Sequence, residues 1–321
     1  MRILLCDVGG THIRFGLSTG QKIENIRKFR VDEFDTLDDA IGQYLLSGEK
    51  PDAFYLATAA RFDGSKWIFT NENKWQVKPA TLEKKFSFKT IRCLNDFEAS
   101  ALSIIVAEES ELLPIVRTDK KIIPEESRCI IGVGTGLGLA YLIGGLESPV
   151  VQQTYGGHML PTILTQEHAE LYKFITDKKN NGTVAIFEDV LSGTGLYRIY
   201  QFLCAQSHLD ADYRSVSDLF ERGKDNEIFR SALDIFFEIL GLFAHQAVAF
   251  GYSYSGLYFT GGIIDRLMVA GLFGKEKFLQ GFYQNNIPIV KNNVLSTPIY
   301  WIKDEFISLK GLLYLAEKEN A

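Results

Sequence analysis

The sequence predicts an α/β fold of two related domains, and three observations carry that expectation. Residues 4–19 read Leu-Leu-Cys-Asp-Val-Gly-Gly-Thr-His-Ile-Arg-Phe-Gly-Leu-Ser-Thr, an apolar strand, a glycine turn and a second strand of alternating apolar and polar positions. Residues 129–142 repeat this plan around Gly132, Gly134, Gly136 and Gly138. Strand and helix signals alternate through the first half of the chain, the order that gives a sheet with helices packed on it.

In the first hairpin Ile13, Phe15 and Leu17 alternate with His12, Arg14 and Gly16, which predicts an antiparallel strand with one buried face. Gly9 and Gly10 carry no Cβ and permit positive φ, so the N–H groups of the turn can converge on an anion such as phosphate. Asp7, just before the turn, can hold a hydrated magnesium ion beside that anion. The same glycines also suit a tight hairpin that binds nothing.

Further strands are expected over residues 23–30 and 53–58, with a helix over 37–46 between them. A short strand at 91–94 leads into a helix capped by Asn95, with Glu98 as the reciprocal capping-box partner. Ala99, Leu102, Ile105 and Val106 give this connecting helix its apolar stripe. Residues 114–128, with prolines and charges, are expected to form a loop. After the second hairpin come an apolar helix at 236–249, a strand ending in Gly261-Gly262, a strand at 299–302 and a helix at 305–318. The Gly261-Gly262 turn leaves room for a flat ring such as adenine. Trp75 is expected in the core.

At 321 residues, 46% hydrophobic and 23% charged, the chain has the length for two domains and the composition of a soluble globular enzyme. Its formal charge of -6, with no long block of Lys or Arg, disfavours nucleic acid as the main partner. Lys120-Lys121 and Lys178-Lys179 read as solvated loop charges. No apolar run approaches the roughly 18–20 residues of a membrane span, and the apolar stretch at 3–6 is shorter than a signal-peptide core of about 7–15 residues. Cys6, Cys93, Cys129 and Cys204 are scattered without a Cys-x-x-Cys pair, which argues against a zinc site or a disulfide framework and for a cytoplasmic location. Asn181-Gly182-Thr183 matches a glycosylation sequon and reads as a turn.

The glycines of the second hairpin fall at every second position, so the Gly-x-Gly-x-x-Gly spacing is absent, and no Gly-Lys-Ser/Thr phosphate loop occurs. A glycine-rich strand admitting close backbone packing is the other reading of residues 132–138.

Taken in order, Asp7-Val8-Gly9-Gly10-Thr11, Leu94-Asn95-Asp96-Phe97-Glu98-Ala99, Gly132 to Gly138, Gly156-Gly157-His158, Glu188-Asp189-Val190-Leu191-Ser192-Gly193 and Thr260-Gly261-Gly262 resemble the bacterial glucokinase family over nearly the whole chain. The resemblance implies a two-domain actin-like ATPase (ribonuclease H-like) fold with an interdomain cleft. It implies a small domain of residues 1–107 plus 299–321 and a large domain of residues 108–298. It further implies phosphoryl transfer from Mg-ATP to the 6-hydroxyl of glucose, domain closure that excludes water, and a homodimer. On this resemblance Asp7, Val8, Gly9, Gly10 and Thr11 meet the outer phosphates, Gly134, Thr135 and Gly136 lie opposite them, and Gly261 and Gly262 face the adenosine. Asn95, Asp96, the residue at 155, His158 and Glu188 match the sugar contacts.

The chemistry gives Asp96 its role. A sugar hydroxyl is a poor nucleophile, and a carboxylate within hydrogen-bond reach orients it and accepts its proton as the bond to phosphorus forms. The alternative is that Asp96 only caps its helix. Asn95 can both donate to and accept from neighbouring hydroxyls, which suits a polyol.

The chain departs from the family pattern at three points. Tyr155 stands where a Glu normally precedes Gly-Gly-His, His12 replaces the usual Asn after Gly-Gly-Thr, and a Pro usually found near Ala60 is missing. Thr70-Asn71 ahead of Trp75 loosely matches a family segment beside the sugar. Losing a charged hydrogen-bond acceptor at 155, worth roughly 1.5–3 kcal/mol, weakens glucose binding about ten- to a hundredfold unless the phenol compensates. Two further readings therefore stand beside glucose phosphorylation. One is a kinase for another hexose or an amino sugar. The other is a sugar sensor that binds without phosphorylating.

Overall fold

A computed structural model of the chain describes residues 1–69, 75–119, 123, 125–144, 149–179, 182–284 and 287–320. Thr70-Asn71, Lys120-Lys121 and Asn181, singled out in the sequence, lie outside the described residues. The chain forms two compact units, Met1–Glu111 with Asp304–Ala321, and Leu112–Lys303.

In the first unit, β1 (Ile3–Val8), β2 (His12–Thr19) and β3 (Lys22–Arg30) are followed by α1 (Leu37–Tyr44) and β4 (Ala53–Thr58). Then come β5 (Ala60–Phe62), β6 (Trp67–Phe69), β7 (Gln76–Val77), α2 (Pro79–Phe86), β8 (Thr90–Leu94) and α3 (Asp96–Ser103). The main sheet runs β3-β2-β1-β4-β8, while β5, β6 and β7 form a small sheet of their own. β1 pairs antiparallel with β2 and parallel with β4, which pairs parallel with β8. Both β1 and β4 are buried along their length, as their continuous apolar runs require. Phe15 stacks on Tyr44 at 4.9 Å within this core, and Trp75 joins it as expected.

The C-terminal helix Ile307–Asn320 closes this unit by crossing α3. A Cβ at Gly311 would lie 1.8 Å from the Ala99 carbonyl oxygen, so only glycine lets the two backbones meet. Ser100 Oγ lies 3.1 Å from Ser308 Oγ and donates to the Asp96 carbonyl at 2.9 Å, tying the start of α3 to the same helix.

The second unit contains β9 (Leu112–Val116), β10 (Arg128–Val133), β11 (Leu137–Ile143), β12 (Val150–Gln153), α4 (Gln166–Lys178), α5 (Gly193–Gln206), α6 (Val216–Arg222) and α7 (Glu227–Phe250). It continues through β13 (Leu257–Thr260), α8 (Gly262–Val269), α9 (Lys275–Phe282), α10 (Pro288–Leu295) and β14 (Ile299–Ile302). Its sheet runs β12-β11-β10-β13-β14-β9, with β10, β13 and β14 parallel.

Four expectations change. Residues 112–116 form β9, not the start of a loop; Pro114 is tolerated because β9 is an edge strand. The strand 299–302 pairs with β13, so the first unit is completed by the C-terminal helix alone, and the boundaries fall at 111/112 and 303/304. α3 ends at Ser103, and Ile104, Ile105 and Val106 follow in a tighter turn of i to i−3 bonds. Finally, α7 has 24 residues and is long and apolar enough by composition to cross a membrane, yet most of it is buried, with Phe236, Phe237 and Phe243 fully enclosed.

Candidate active site

In the first unit the chemistry gathers at the carboxyl ends of the parallel strands. Asp7 in β1 pairs with Ala57 in β4, and Ala57 pairs with Leu94 in β8, so these residues share one row of the sheet. Asp96 follows two residues past that row, at the start of α3. In an open α/β sheet the crevice beyond the carboxyl ends of the strands is where ligands bind.

Asn95 caps α3, its Oδ1 accepting from Phe97 N–H at 3.0 Å. Asp96 Oδ1 accepts from the same N–H at 3.0 Å, so the helix N-terminus bonds both side chains. Burial pushes the Asp96 carboxyl up to about 6, and the negative charge of Asp7 adds to the rise against the lowering effect of the Phe97 bond. Asp7 is itself buried; desolvation raises its carboxyl, and the adjacent Arg14 guanidinium draws it back.

Arg14 Nη1 donates to Asp7 Oδ2 at 3.1 Å. The sequence reading left Arg14 without a role, although the hairpin register that places it opposite Asp7 follows from the turn length. The turn is closed by Gly9 N–H donating to His12 O at 3.0 Å, and Thr58 Oγ1 donates to the Val8 carbonyl at 3.1 Å. Gly10 and Thr11 are exposed. Neither Gly9 nor Gly10 adopts positive φ, so what the glycines supply is open backbone rather than a left-handed turn. Burial, followed by the charges of Lys28, Arg14 and Arg30, lowers the proton affinity of His12.

In the second unit three glycine segments meet. Gly134 N–H donates to Gly136 O at 2.9 Å across the exposed Thr135, and the Gly134 carbonyl accepts from Gly193 N–H at the start of α5, also at 2.9 Å. A Cβ on Gly134 would lie 3.9 Å from the Gly262 nitrogen, which places the start of α8 beside the same turn. Gly261 has φ of 103°, and a Cβ there would lie 2.5 Å from the Val133 carbonyl oxygen. Gly261 makes no side-chain cap, so the first amides of α8 are left to an anion or water.

Two short 3-10 segments, Gly156–His158 and Phe187–Asp189, reach Leu137 at the end of this turn, one through the Gly157 backbone and the other through Glu188. Glu188, in Phe187–Asp189, accepts from Leu137 N–H through Oε2 at 2.9 Å. A Cβ on Gly136 would come within 2.7 Å of that oxygen. Gly156–His158 packs on β11 so closely that a Cβ on Gly157 would lie 2.1 Å from the Leu137 carbonyl oxygen. The exposed His158 ring meets Tyr155 edge-on at 6.0 Å, and Tyr155 is 86% exposed. Lys179, read as a solvated loop charge, is instead ion-paired with Asp189.

Asp7, Gly9 to Thr11, Asn95 and Asp96 thus form one group in the first unit. Gly134 to Gly136, Glu188, Gly261 and Gly262 form another in the second, with Tyr155 and His158 exposed at the segment that packs on β11. Among the described residues no group of three or more His, Cys, Asp or Glu side chains makes a metal cage. Asp7, whose Oδ2 is taken by Arg14, is the single carboxylate beside the first glycine turn, and one carboxylate suits a magnesium ion that keeps most of its waters.

Comparison with known proteins gives consistent results. A family model described as glucokinase matches residues 4–319. The glucokinase of Saccharophagus degradans is 28% identical over 318 residues, covering 96% of each chain. Among solved structures, a glucokinase from an Antarctic psychrotroph superposes with a TM-score of 0.81 at 24% identity, covering 99% of both chains. A glucokinase from Balamuthia mandrillaris in complex with glucose superposes with a TM-score of 0.82 at 20% identity, covering 98% of this chain and 93% of that one. These superpositions bear out the two-domain α/β sugar-kinase fold of the actin-like ATPase type.

Proposed function

This chain belongs to the glucokinase family, and from that premise we propose that it transfers the terminal phosphoryl group of Mg-ATP to the 6-hydroxyl of glucose, with Asp96 as general base. The observation that carries the reading is Asp96 itself, a partly buried carboxylate at a helix N-terminus whose proton affinity is raised to about 6. A base with that affinity is ionised at neutral pH and still strong enough to take a hydroxyl proton as the oxygen attacks, an effect of about 10²–10⁴ in rate.

The other residues bind and orient. Asn95 and Asp96 in the first unit, and Glu188 and His158 in the second, offer acceptors and donors for sugar hydroxyls. The open backbone of Gly9 to Thr11 and of Gly134 to Gly136 holds the outer phosphates, and the uncapped start of α8 at Gly261-Gly262 takes the adenosine side of the nucleotide. Asp7 would hold magnesium through water, and the ion when bound supplies charge neutralisation for the phosphates. Arg14 keeps the Asp7 carboxylate oriented through its 3.1 Å bond. A cytoplasmic homodimer is the setting that this reading assumes.

One observation favours a second reading. Tyr155 is an exposed phenol beside His158, at the position where the family carries a carboxylate, and it alters the hydroxyl pattern that this side of the sugar meets. A different hexose or an amino sugar is then the substrate, or the sugar is bound without turnover. Coupled detection of ADP with the purified chain, Mg-ATP and glucose tests the reading, and a panel of hexoses separates the alternatives. Glucose-dependent ADP release supports glucokinase activity; sugar binding without release from any hexose supports the sensor.

A further inference from the structure

We propose that Asp189, clamped between Arg198 and Lys179, is a positioning residue that fixes the Glu188 carboxylate, so that Arg198 governs sugar affinity through Glu188 without touching the sugar. The inference rests on the reading of Glu188 as a sugar contact.

Glu188 sits in the middle of the three-residue turn Phe187–Asp189, which is anchored at both ends. At one end Phe187 is fully buried, and its N–H donates to the Met159 carbonyl at 3.0 Å. At the other end Asp189 is buried and spends its carboxylate on three donors. Oδ2 accepts from Ile186 N–H at 3.0 Å, closing the turn on itself, and also takes Lys179 Nζ. Oδ1 accepts from Arg198 Nη1 at 2.8 Å, and the same nitrogen reaches the Asp189 carbonyl at 3.2 Å.

Arg198 comes from α5, whose first residue Gly193 bonds to Gly134. The helix that starts at the glycine turn therefore also grips the turn that carries Glu188. Ion pairs from half-buried cations to a buried carboxylate add little net stability, and fixing one geometry is the best-attested use of such pairs. With both neighbours pinned, the backbone of Glu188 has little room to move, and its Oε2 is held at 2.9 Å from Leu137 N–H. Losing Arg198 leaves Asp189 with Lys179 and the Ile186 N–H on Oδ2 alone and loosens its end of the turn.

Isothermal titration of glucose into the purified full chain, read beside KM and kcat, tests this. Glu188→Ala is expected to weaken glucose binding at least tenfold, and Arg198→Ala about five- to tenfold with kcat and the KM for ATP within about twofold of the unmodified chain. Arg198→Lys, which keeps a cation beside Asp189, is expected to recover most of the loss. In a Glu188→Ala background, Arg198→Ala should cost no further affinity, the non-additivity expected of a residue acting through its neighbour. If Glu188→Ala leaves glucose binding unchanged, the sugar-contact reading fails and takes the inference with it. If Glu188→Ala weakens binding while Arg198→Ala does not, or if the Arg198→Ala loss persists in full without Glu188, the inference alone is overturned.

Discussion

The charge of Asp7 acts on Asp96 within the first unit, adding to the burial that lifts the Asp96 carboxyl to about 6. One carboxylate is thus kept company by Arg14 while the other is left with a raised appetite for a proton. Burial raises both carboxyls, and only Asp7 has a cation beside it to offset the rise.

For activity, the sign follows from the base having to be ionised. The kcat/KM for glucose is expected to be full above the Asp96 value and to fall as pH drops through about 6. A pH-rate profile checks it; an acid limb near the ordinary carboxylate value, about 4, would contradict it.

For stability the sign is opposite. A carboxyl whose folded-state value is raised from 3.8 to about 6 stabilises the fold when protonated, fully below the unfolded value, and that contribution is lost as pH rises through about 6. Asp96→Asn is therefore expected to raise Tm at pH 7.5 by ~2–4 °C, with the gap closing as pH is lowered toward about 4. Thermal melts of both proteins across that range measure it.

Gly311→Ala brings a Cβ against the Ala99 carbonyl, backbone on backbone, where no side chain can yield. The expected loss is on the order of 1–3 kcal/mol in urea unfolding, together with reduced kcat, because Ala99 and Ser100 belong to the helix that carries Asp96. An unchanged unfolding midpoint would show that the two helices do not need this contact.

Tyr155→Glu places a charged acceptor beside His158, and the gain expected in glucose affinity is about ten- to a hundredfold. Tyr155→Phe should bind glucose within about twofold of the unmodified chain, since the side chain is 86% exposed. Titration of both variants with glucose and with other hexoses decides whether this position sets sugar choice.

Local patterns were readable in the sequence and long-range pairings were not. The two glycine hairpins, the strand at 53–58 and the Asn95 cap follow from alternation, turn chemistry and capping preference within a few residues. β9 was hidden because Pro114 is a loop signal unless the strand lies at an edge, which only the finished sheet determines. The same holds for β14, whose partner β13 lies about forty residues upstream and is set by sheet order rather than by its own residues.

Around the candidate site, single residues stood out as types, while their partners did not. Arg14 could have been paired with Asp7 by counting across the hairpin. Lys179, Asp189 and Arg198 could not, because their spacing fits no repeat of helix or strand and only the meeting of α4, α5 and a 3-10 turn joins them.

The most direct measurement is the rate of glucose-dependent ADP formation by Asp96→Asn, taken beside its glucose dissociation constant. A loss of at least about a hundredfold in rate, with the dissociation constant within a few-fold, is the result expected of a general base. Turnover within about tenfold of the unmodified chain would contradict the role given to Asp96.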